Sequence, residues 1–188
     1  MAIERTLTRM RRLLVGLSLI AAVAVPVAAA AKPTKTDRKN AAKECKDERG
    51  SSAATREAFK ARYRTFGKCV STRARDEAKE GKVAHLNAAK ECKAERADNL
   101  AAFTEKYGTN HNKKNAYGKC VSMKAKAKEA AMDARDRKAI RARKHAAKEC
   151  AKEREEIGRQ AFRAEYGTNH KGKNAFRKCV SAHSRHKS

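Results

Sequence analysis

The chain has 188 residues, of which 47 are Lys or Arg and 21 are Asp or Glu, so its formal net charge is +26. Beyond residue 31, Val, Leu, Ile and Phe together supply only 13 of 157 residues, which excludes a single large hydrophobic core. The same segment is rich in Ala, Lys, Arg and Glu, which favour helices. We therefore expect an all-α fold whose small cores are reinforced covalently.

Residues 1–31 have the pattern of a secretory signal peptide. Arginines precede an apolar stretch from Leu13 to Ala31, which contains Pro26 and ends in four consecutive alanines. This order is typical of a cleaved signal. A retained membrane anchor is the alternative, because the stretch approaches the ~20 residues that span a bilayer. We predict cleavage near Ala31 and a secreted or cell-envelope protein, whose remaining formal charge is +23.

One sequence unit then occurs three times, each copy opening with Ala-Ala-Lys-Glu-Cys and closing with Lys-Cys-Val-Ser. The predicted segments are a disordered lead (32–39), repeat 1 (40–76), a linker (77–86), repeat 2 (87–125), a second linker (126–144), repeat 3 (145–184) and a tail (185–188). Gly81 is expected to interrupt the first linker, whereas the second lacks Gly and Pro and is predicted to be helical. The expected architecture is elongated, with three disulfide-stapled helical repeats joined by charged, Ala-rich helices.

The cysteine spacing predicts a break in the first helix of each repeat. If Cys92 to Tyr107 were one straight helix, Cys92 and Cys120 would miss each other by roughly 15 Å. Helix breakers occur at the corresponding place in every repeat: Gly50-Ser51-Ser52, Asp98-Asn99 and Gly158. We therefore predict helices that end near Arg49, Arg96 and Arg154. A short aromatic-bearing helix should follow each of them, and then a helix that carries the second cysteine.

The same geometry favours disulfides within repeats over disulfides between them. Cys120 and Cys150 would lie about 45 Å apart on a continuous helix, which excludes that bond. A Cys69–Cys92 bond is less strongly excluded, because Gly81 lies between them. In an exported chain the six cysteines should be oxidised. The predicted pairs are Cys45–Cys69, Cys92–Cys120 and Cys150–Cys179.

Zinc binding is the alternative chemistry for these cysteines. His111 and His170 lie between the two cysteines of repeats 2 and 3, but repeat 1 has no matching histidine and no Cys-x-x-Cys pair occurs. His183 and His186 could hold a metal weakly, although solvated side chains are the simpler interpretation. We expect no metal and no cofactor.

A loop with the sequence Gly-Thr-Asn-His is shared by repeats 2 and 3 and missing from repeat 1. Gly108 and Gly167 are expected to end a helix in the left-handed conformation, and Asn115 and Asn174 to cap the next helix. Such a loop could also cradle an anion with its backbone N–H groups; plain helix capping is the alternative. The basic residues that would contact the anion are Lys113, Lys114, Lys119, Lys171, Lys173 and Lys178.

Aromatic residues recur at matching positions and predict the small cores. The sets are Phe59, Tyr63, Phe66 and Val70; Phe103, Tyr107, Tyr117 and Val121; and Phe162, Tyr166, Phe176 and Val180. Stacking on bases or sugars is the alternative role. Glu91 and Glu95 lie one helical turn apart beside basic residues, so ion pairing is favoured over acid–base chemistry. No catalytic motif is found, and we expect a non-enzymatic protein.

The string from Tyr107 through Gly-Thr-Asn-His to Asn115-Ala-Tyr-Gly-Lys-Cys-Val-Ser, preceded by Ala-Ala-Lys-Glu-Cys, resembles a motif in uncharacterised secreted bacterial proteins with Ala/Lys-rich, cysteine-paired repeats. The resemblance covers most of repeats 2 and 3 but only the ends of repeat 1, and it implies no activity. The Ala/Lys-rich segments also resemble bacterial histone-like tails, in composition only.

The positive charge indicates a partner of opposite charge. We expect non-specific binding to an anionic polymer or surface, such as a wall polymer, lipid headgroups or nucleic acid. A structural spacer or assembly protein is one alternative. An intracellular nucleic-acid-binding protein is another, if the N-terminus is not a cleaved signal.

Overall fold

The computed structural model describes residues 32–185, which form seven α-helices and no strand. The helices are α1 (Lys35–Arg49), α2 (Ala53–Tyr63), α3 (Phe66–Asp98), α4 (Leu100–Tyr107), α5 (Ala116–Ile157), α6 (Arg159–Tyr166) and α7 (Ala175–Arg185). The predicted signal at 1–31 and the last three residues of the tail lie outside this range. The disorder predicted for 32–39 is wrong from Lys35 onward, because Thr34 and Asp37 form a capping box that begins α1 there. No helix in the described range is long and apolar enough to cross a membrane.

Each repeat is a three-helix unit, and neighbouring repeats share a helix. Repeat 1 uses α1, α2 and the start of α3. The end of α3 is the first helix of repeat 2, and α5 connects repeat 2 to repeat 3 in the same way. With 42 residues, α5 is about 63 Å long. The helix predicted for 126–144 is confirmed, because that segment lies inside α5.

The interruption predicted at Gly81 is wrong, because α3 continues through it. A glycine in a helix interior costs only about 1 kcal/mol relative to alanine. The packing of α3 along α5 offsets that cost. The position lies against α5, since a Cβ atom added at Gly81 would lie 3.5 Å from Glu129 Oε1.

The predicted helix breaks are confirmed, since α1, α3 and α5 end at or within three residues of the expected positions. Gly50 and Gly158 have φ of 56° and 81°, the left-handed region that glycine tolerates best. Asn99 instead stays extended between α3 and α4. Its side chain accepts a hydrogen bond of 2.9 Å from Ala102 N and so caps α4.

The structure contains the three disulfides Cys45–Cys69, Cys92–Cys120 and Cys150–Cys179. Their Cα atoms lie 6.1, 6.0 and 6.0 Å apart, which is ordinary disulfide geometry. These are the pairs that the spacing selects. All six sulfurs are used, and each bond ties the first helix of a repeat to the third.

Each disulfide lies in a small core with the Phe and Tyr of the adjacent short helix, as predicted. The aromatic residue near the second cysteine is exposed in two repeats and buried in the third. Phe66 and Tyr117 remain 38% and 36% exposed, so their assignment to the core is wrong. The equivalent Phe176 is only 6% exposed. In that repeat, Ala54 and Ala58 of α2 pack against the core and help to cover it.

Repeat 1 therefore packs against repeat 3. Helix α2 contacts both α5 and α7, α1 contacts α5, and α3 runs along α5. The contact between repeats 1 and 3 was not predicted, because the linkers suggested an extended arrangement in which only neighbouring repeats are joined. An elongated overall shape stays a prediction. The packing of α2 against α5 and α7 places a cleft between the first and the last repeat.

Candidate anion-binding cleft

The Gly-Thr-Asn-His loops have a different geometry from the one expected. Gly108 is extended, with φ −74° and ψ 118°, so the left-handed assignment is wrong there and at Gly167. Steric overlap excludes a side chain at both positions instead. A Cβ atom at Gly108 would lie 2.6 Å from Lys113 Cβ, and a Cβ atom at Gly167 would lie 2.7 Å from Gly172 Cα. The left-handed residues are Lys113 and Gly172, with φ of 52° and 58°.

Asn115 occupies the N-cap position of α5, but its side chain makes no hydrogen bond to that helix, so the predicted side-chain cap is wrong. Its Oδ1 accepts hydrogen bonds from Thr109 N at 3.1 Å and Asn110 N at 3.4 Å, and its Nδ2 donates to Thr109 Oγ1. Asn174 makes the same contacts with Thr168. The N–H groups of Thr109, Asn110 and Thr168 are thus engaged within the loops.

The six candidate lysines are not brought together. Lys113 forms an ion pair with Glu105. Lys114, Lys119 and Lys171 are exposed and line none of the clefts described here. Only Lys173 and Lys178 line such a cleft. The loops therefore connect two helices without gathering the candidate lysines, and Asn115 does not provide the side-chain cap that the alternative interpretation expected.

A cleft of about 460 Å³ lies between α2, α5 and α7, and we call it the basic cleft. Its cationic residues are Arg62, Arg143, Lys144, Arg177, Lys178 and Arg185. Among residues 32–185, Glu48 is the one acidic residue that lines it. Thr55, Ser181 and Ser184 add hydroxyl groups, while Phe59 and Val180 contribute an apolar part of the surface.

Glu48 is already neutralised by its neighbours. Its carboxylate accepts from Arg143 Nε at 2.8 Å, Arg73 Nη2 at 2.7 Å and Tyr63 OH at 3.2 Å. Burial alone would raise the pKa of Glu48, but Arg143 and Arg73 outweigh it and hold the pKa below its ordinary value. The carboxylate stays ionised and also lies 3.8 Å from Arg62, while Lys144 is paired with Asp47 at 2.7 Å.

Three cations remain directed at solvent. Arg177 and Lys178 are exposed on α7, and within residues 32–185 no carboxylate lies within 4 Å of either. Arg62 on α2 is 49% exposed and lies 3.8 Å from Glu48. Opposite walls of the basic cleft therefore carry cations able to contact an oxyanion.

Two neighbouring clefts are basic as well. One, of about 400 Å³, is lined by Arg154, Arg159, Arg163 and Lys173, with Glu57 bonded to both terminal nitrogens of Arg154. The other, of about 610 Å³, is lined by Lys43, Lys46, Lys144 and Lys148, and by Asp47, which lies 2.7 Å from Lys144. Lys144 and Thr55 line both this cleft and the basic cleft, so cationic surface continues from one to the next.

A set of charged residues recurs beside all three disulfides and was not predicted from the sequence. In each repeat a glutamate three residues after the first cysteine accepts a hydrogen bond from the tyrosine of the short helix. Another glutamate precedes that cysteine, and a basic residue follows the second cysteine by four positions. We call these the carboxylate clamps: Glu44, Glu48 and Arg73; Glu91, Glu95 and Lys124; Glu149, Glu153 and His183. Aligning the three copies would have revealed the pattern.

The ion pairing expected for Glu91 and Glu95 is confirmed. Lys124 Nζ lies 2.9 Å from Glu95, and Lys128 Nζ lies 2.6 Å from Glu91. Hydrogen bonds from Lys106 and Lys124 lower the pKa of Glu95 to about 2. Both carboxylates are therefore ionised partners of lysines at neutral pH.

The fold and clefts define a disulfide-bonded, all-α protein with strongly basic grooves. No protein-family model matches the chain, and no curated protein or solved structure is significantly similar to it.

Proposed function

We propose that this is an exported, non-enzymatic protein that binds polyanions at the cell envelope or outside the cell, with the basic cleft as its principal contact. One observation carries the proposal: six cations line the basic cleft, and its one carboxylate is already bonded to two arginines. A groove lined by one sign of charge concentrates ligands of the opposite sign.

The chemistry of the basic cleft suits phosphate, sulfate or carboxylate groups. The guanidinium groups of Arg62 and Arg177 can each donate two parallel hydrogen bonds to an oxyanion, while Lys178 acts as a point charge. A polymer that neutralises several of these cations releases its bound counterions, so affinity should fall steeply with salt.

Export is supported by the signal-like residues 1–31 and by the three disulfides, which form and persist in oxidising compartments. The spacer alternative draws on the long shared helix α5. The intracellular alternative would be favoured by Met1 retained on the native protein, whereas a start near Lys32 would exclude it.

Fluorescence anisotropy with a labelled polyphosphate, over a range of salt concentrations, tests the function. The protein should be produced by an export route from the full chain so that its disulfides form. Arg177→Gln with Lys178→Gln should weaken binding about tenfold and reduce the salt slope by about 2. The matched control is Lys114→Gln with Lys119→Gln, which removes equal charge outside the clefts and should have a smaller effect.

Equal losses in the two double variants would show that only total charge matters and would overturn the role of the basic cleft. An affinity for polyphosphate that does not change with salt concentration, or no binding at low salt, would overturn the proposal of polyanion binding itself. In the second case, small-angle scattering becomes the test of the spacer alternative, which a compact particle would contradict.

A further inference from the structure

Two histidines of repeat 3 face the same carboxylate. His145 Nδ1 lies 3.2 Å from Glu149 Oε2, and His183 Nδ1 lies 3.7 Å from the same oxygen. His145 and Glu149 are one turn apart on α5, whereas His183 approaches Glu149 from α7. The three side chains thus join two helices through nitrogen and oxygen atoms that are all metal ligands in other proteins.

Repeats 1 and 2 keep the carboxylate but lack both imidazoles. The residues at the position of His145 are Asn40 and Asn87, and those at the position of His183 are Arg73 and Lys124. Arginine and lysine can only form an ion pair there, because neither is a ligand for a metal when charged. Repeat 3 alone has exchanged an amide and a permanent cation for two imidazoles, which are common ligands for zinc, copper and nickel.

A second carboxylate lies behind His183. Its Nε2 is 3.7 Å from Glu153 Oε2, so the two ring nitrogens face two different glutamates. Glu153 is held in turn by a hydrogen bond of 2.7 Å from Tyr166 OH. Histidines that bind metal through one nitrogen usually direct the other at a carboxylate, which fixes the ring orientation.

Two of the three distances between ligand atoms suit a zinc-sized ion, but the nitrogens of His145 and His183 lie more than 4.8 Å apart, so an imidazole must turn before all three residues bind one ion. Ligand atoms at 2.0–2.2 Å from a tetrahedral ion lie roughly 3.3 Å from one another, and the two contacts of Glu149 are 3.2 and 3.7 Å. His145 is 58% exposed, so its ring can turn toward His183 to complete the site.

The disulfide of repeat 3 is not part of this site. In the described part of the chain, Cys150, Cys179 and His183 are the one set of three such residues whose ligand atoms already lie within 4.8 Å of one another. The two sulfurs are bonded to each other, so they are not thiolate ligands. Ligands for a metal must come from the imidazoles and carboxylates around them.

We propose that His145, Glu149 and His183 bind a divalent transition metal, zinc or copper, with Glu153 and Tyr166 orienting His183. Water completes the coordination. The bound ion links α5 to α7, the helix that carries Arg177 and Lys178 on the wall of the basic cleft.

Titration calorimetry with zinc alone, on the exported and oxidised protein, is the first test. We expect saturable binding of one ion per chain. His145→Asn and His183→Lys each install the residue that repeat 2 carries, so the fold should tolerate them, and each should weaken zinc binding about tenfold or more. Helical circular dichroism should be unchanged in both variants.

Electron paramagnetic resonance of the Cu²⁺-loaded protein provides an independent measurement. The wild-type spectrum should show coupling to two nitrogens, and each single variant should show coupling to one. The matched control is His111→Asn with His170→Asn, which removes two histidines from the loops and should change neither measurement.

The proposal is overturned if the wild-type protein shows no saturable zinc binding, or if His145→Asn binds zinc like the wild type. It is also overturned if His186→Asn, in the tail, abolishes binding while His145→Asn does not. The double variant Arg177→Gln with Lys178→Gln should retain full zinc affinity. The metal-site proposal and the polyanion-binding proposal can therefore be tested independently of each other.

Discussion

Repeats 1 and 2 build the same carboxylate clamp from the same local sequence, but only the clamp of repeat 1 is buried. The side chain of Arg73 is 9% exposed between Glu44 and Glu48, whereas that of Lys124 is 27% exposed. The difference comes from α5, which supplies Arg143 to the clamp of repeat 1. Residues at equivalent positions therefore contribute differently to stability, because the burial of the first clamp depends on Arg143, about a hundred positions away in sequence.

The largest effect is expected from Arg73→Met. This change leaves Glu44 without its cation in a partly buried place, and Arg73 is 2.5 Å from Glu44 and 2.7 Å from Glu48. The free energy of unfolding should fall by roughly 3–5 kcal/mol. Urea denaturation measures it, and Glu44→Gln in the same chain should recover part of the loss. A loss within experimental error would show that the clamp is not buried.

The second largest effect should follow removal of a disulfide. Cys92→Ala with Cys120→Ala should cost about 3 kcal/mol in the chain-entropy picture. Repeat 2 lacks the cover that α2 gives to repeat 3, so we expect its loss to appear locally, as faster amide exchange in α4. Equal acceleration in α2 would contradict the comparison, because it would show one cooperative unit.

A pH-dependent effect is expected at Glu77, beside the clamp of repeat 1. Burial, with Glu44 and Asp133 nearby, raises the pKa of Glu77 to about 7. The folded state therefore binds this proton more tightly than the unfolded state, so the contribution of Glu77 to stability is greatest below pH 4.5. It is lost as the pH rises through about 7.

Glu77→Gln should consequently raise the melting temperature at pH 8 and leave it nearly unchanged at pH 4.5. Thermal melts at the two pH values measure the difference, with exposed Glu105→Gln as the control. A larger gain at pH 4.5 than at pH 8 would reverse the sign and contradict the partly buried position of this carboxyl group.

The smallest effect is expected from Lys124→Met, the counterpart of the first substitution. Its partners Glu91 and Glu95 keep Lys128 and Lys106, respectively, and remain in contact with water. The melting temperature should change by roughly 2 °C or less. A decrease as large as that of Arg73→Met would show that burial does not separate the two clamps.

Local geometry made the helix breaks and the disulfide pairing predictable. The rise of a helix and the reach of a disulfide leave few choices once Cys92 and Cys120 are assigned to one repeat. The loops were harder, because Asn115 has the sequence signature of a cap but bonds backward to Thr109. Gly108 has the signature of a left-handed residue, yet the constraint is the approach of Lys113.

The basic cleft could not be predicted in the same way. It depends on α2 packing against α5 and α7, and the residues that mediate this contact include Ala54 and Ala58. Alanine is frequent throughout the chain and favours helix at any position, so these two residues carry no signal for a long-range partner. Arg62 and Arg177 line the same cleft only because of that packing.

The sharing of α5 between repeats 2 and 3 restricts how the length of this protein can change. Each residue added to a helix turns everything beyond it by about 100° and moves it about 1.5 Å. A single insertion within 126–144 would swing repeat 3 around the axis of α5 and separate α7 from α2. Insertions near whole numbers of turns, such as 18 residues for five turns, would restore the orientation but shift repeat 3 about 27 Å away from repeat 1. The length of α5 is therefore constrained, because only a helix of this length lets repeat 3 pack against repeat 1.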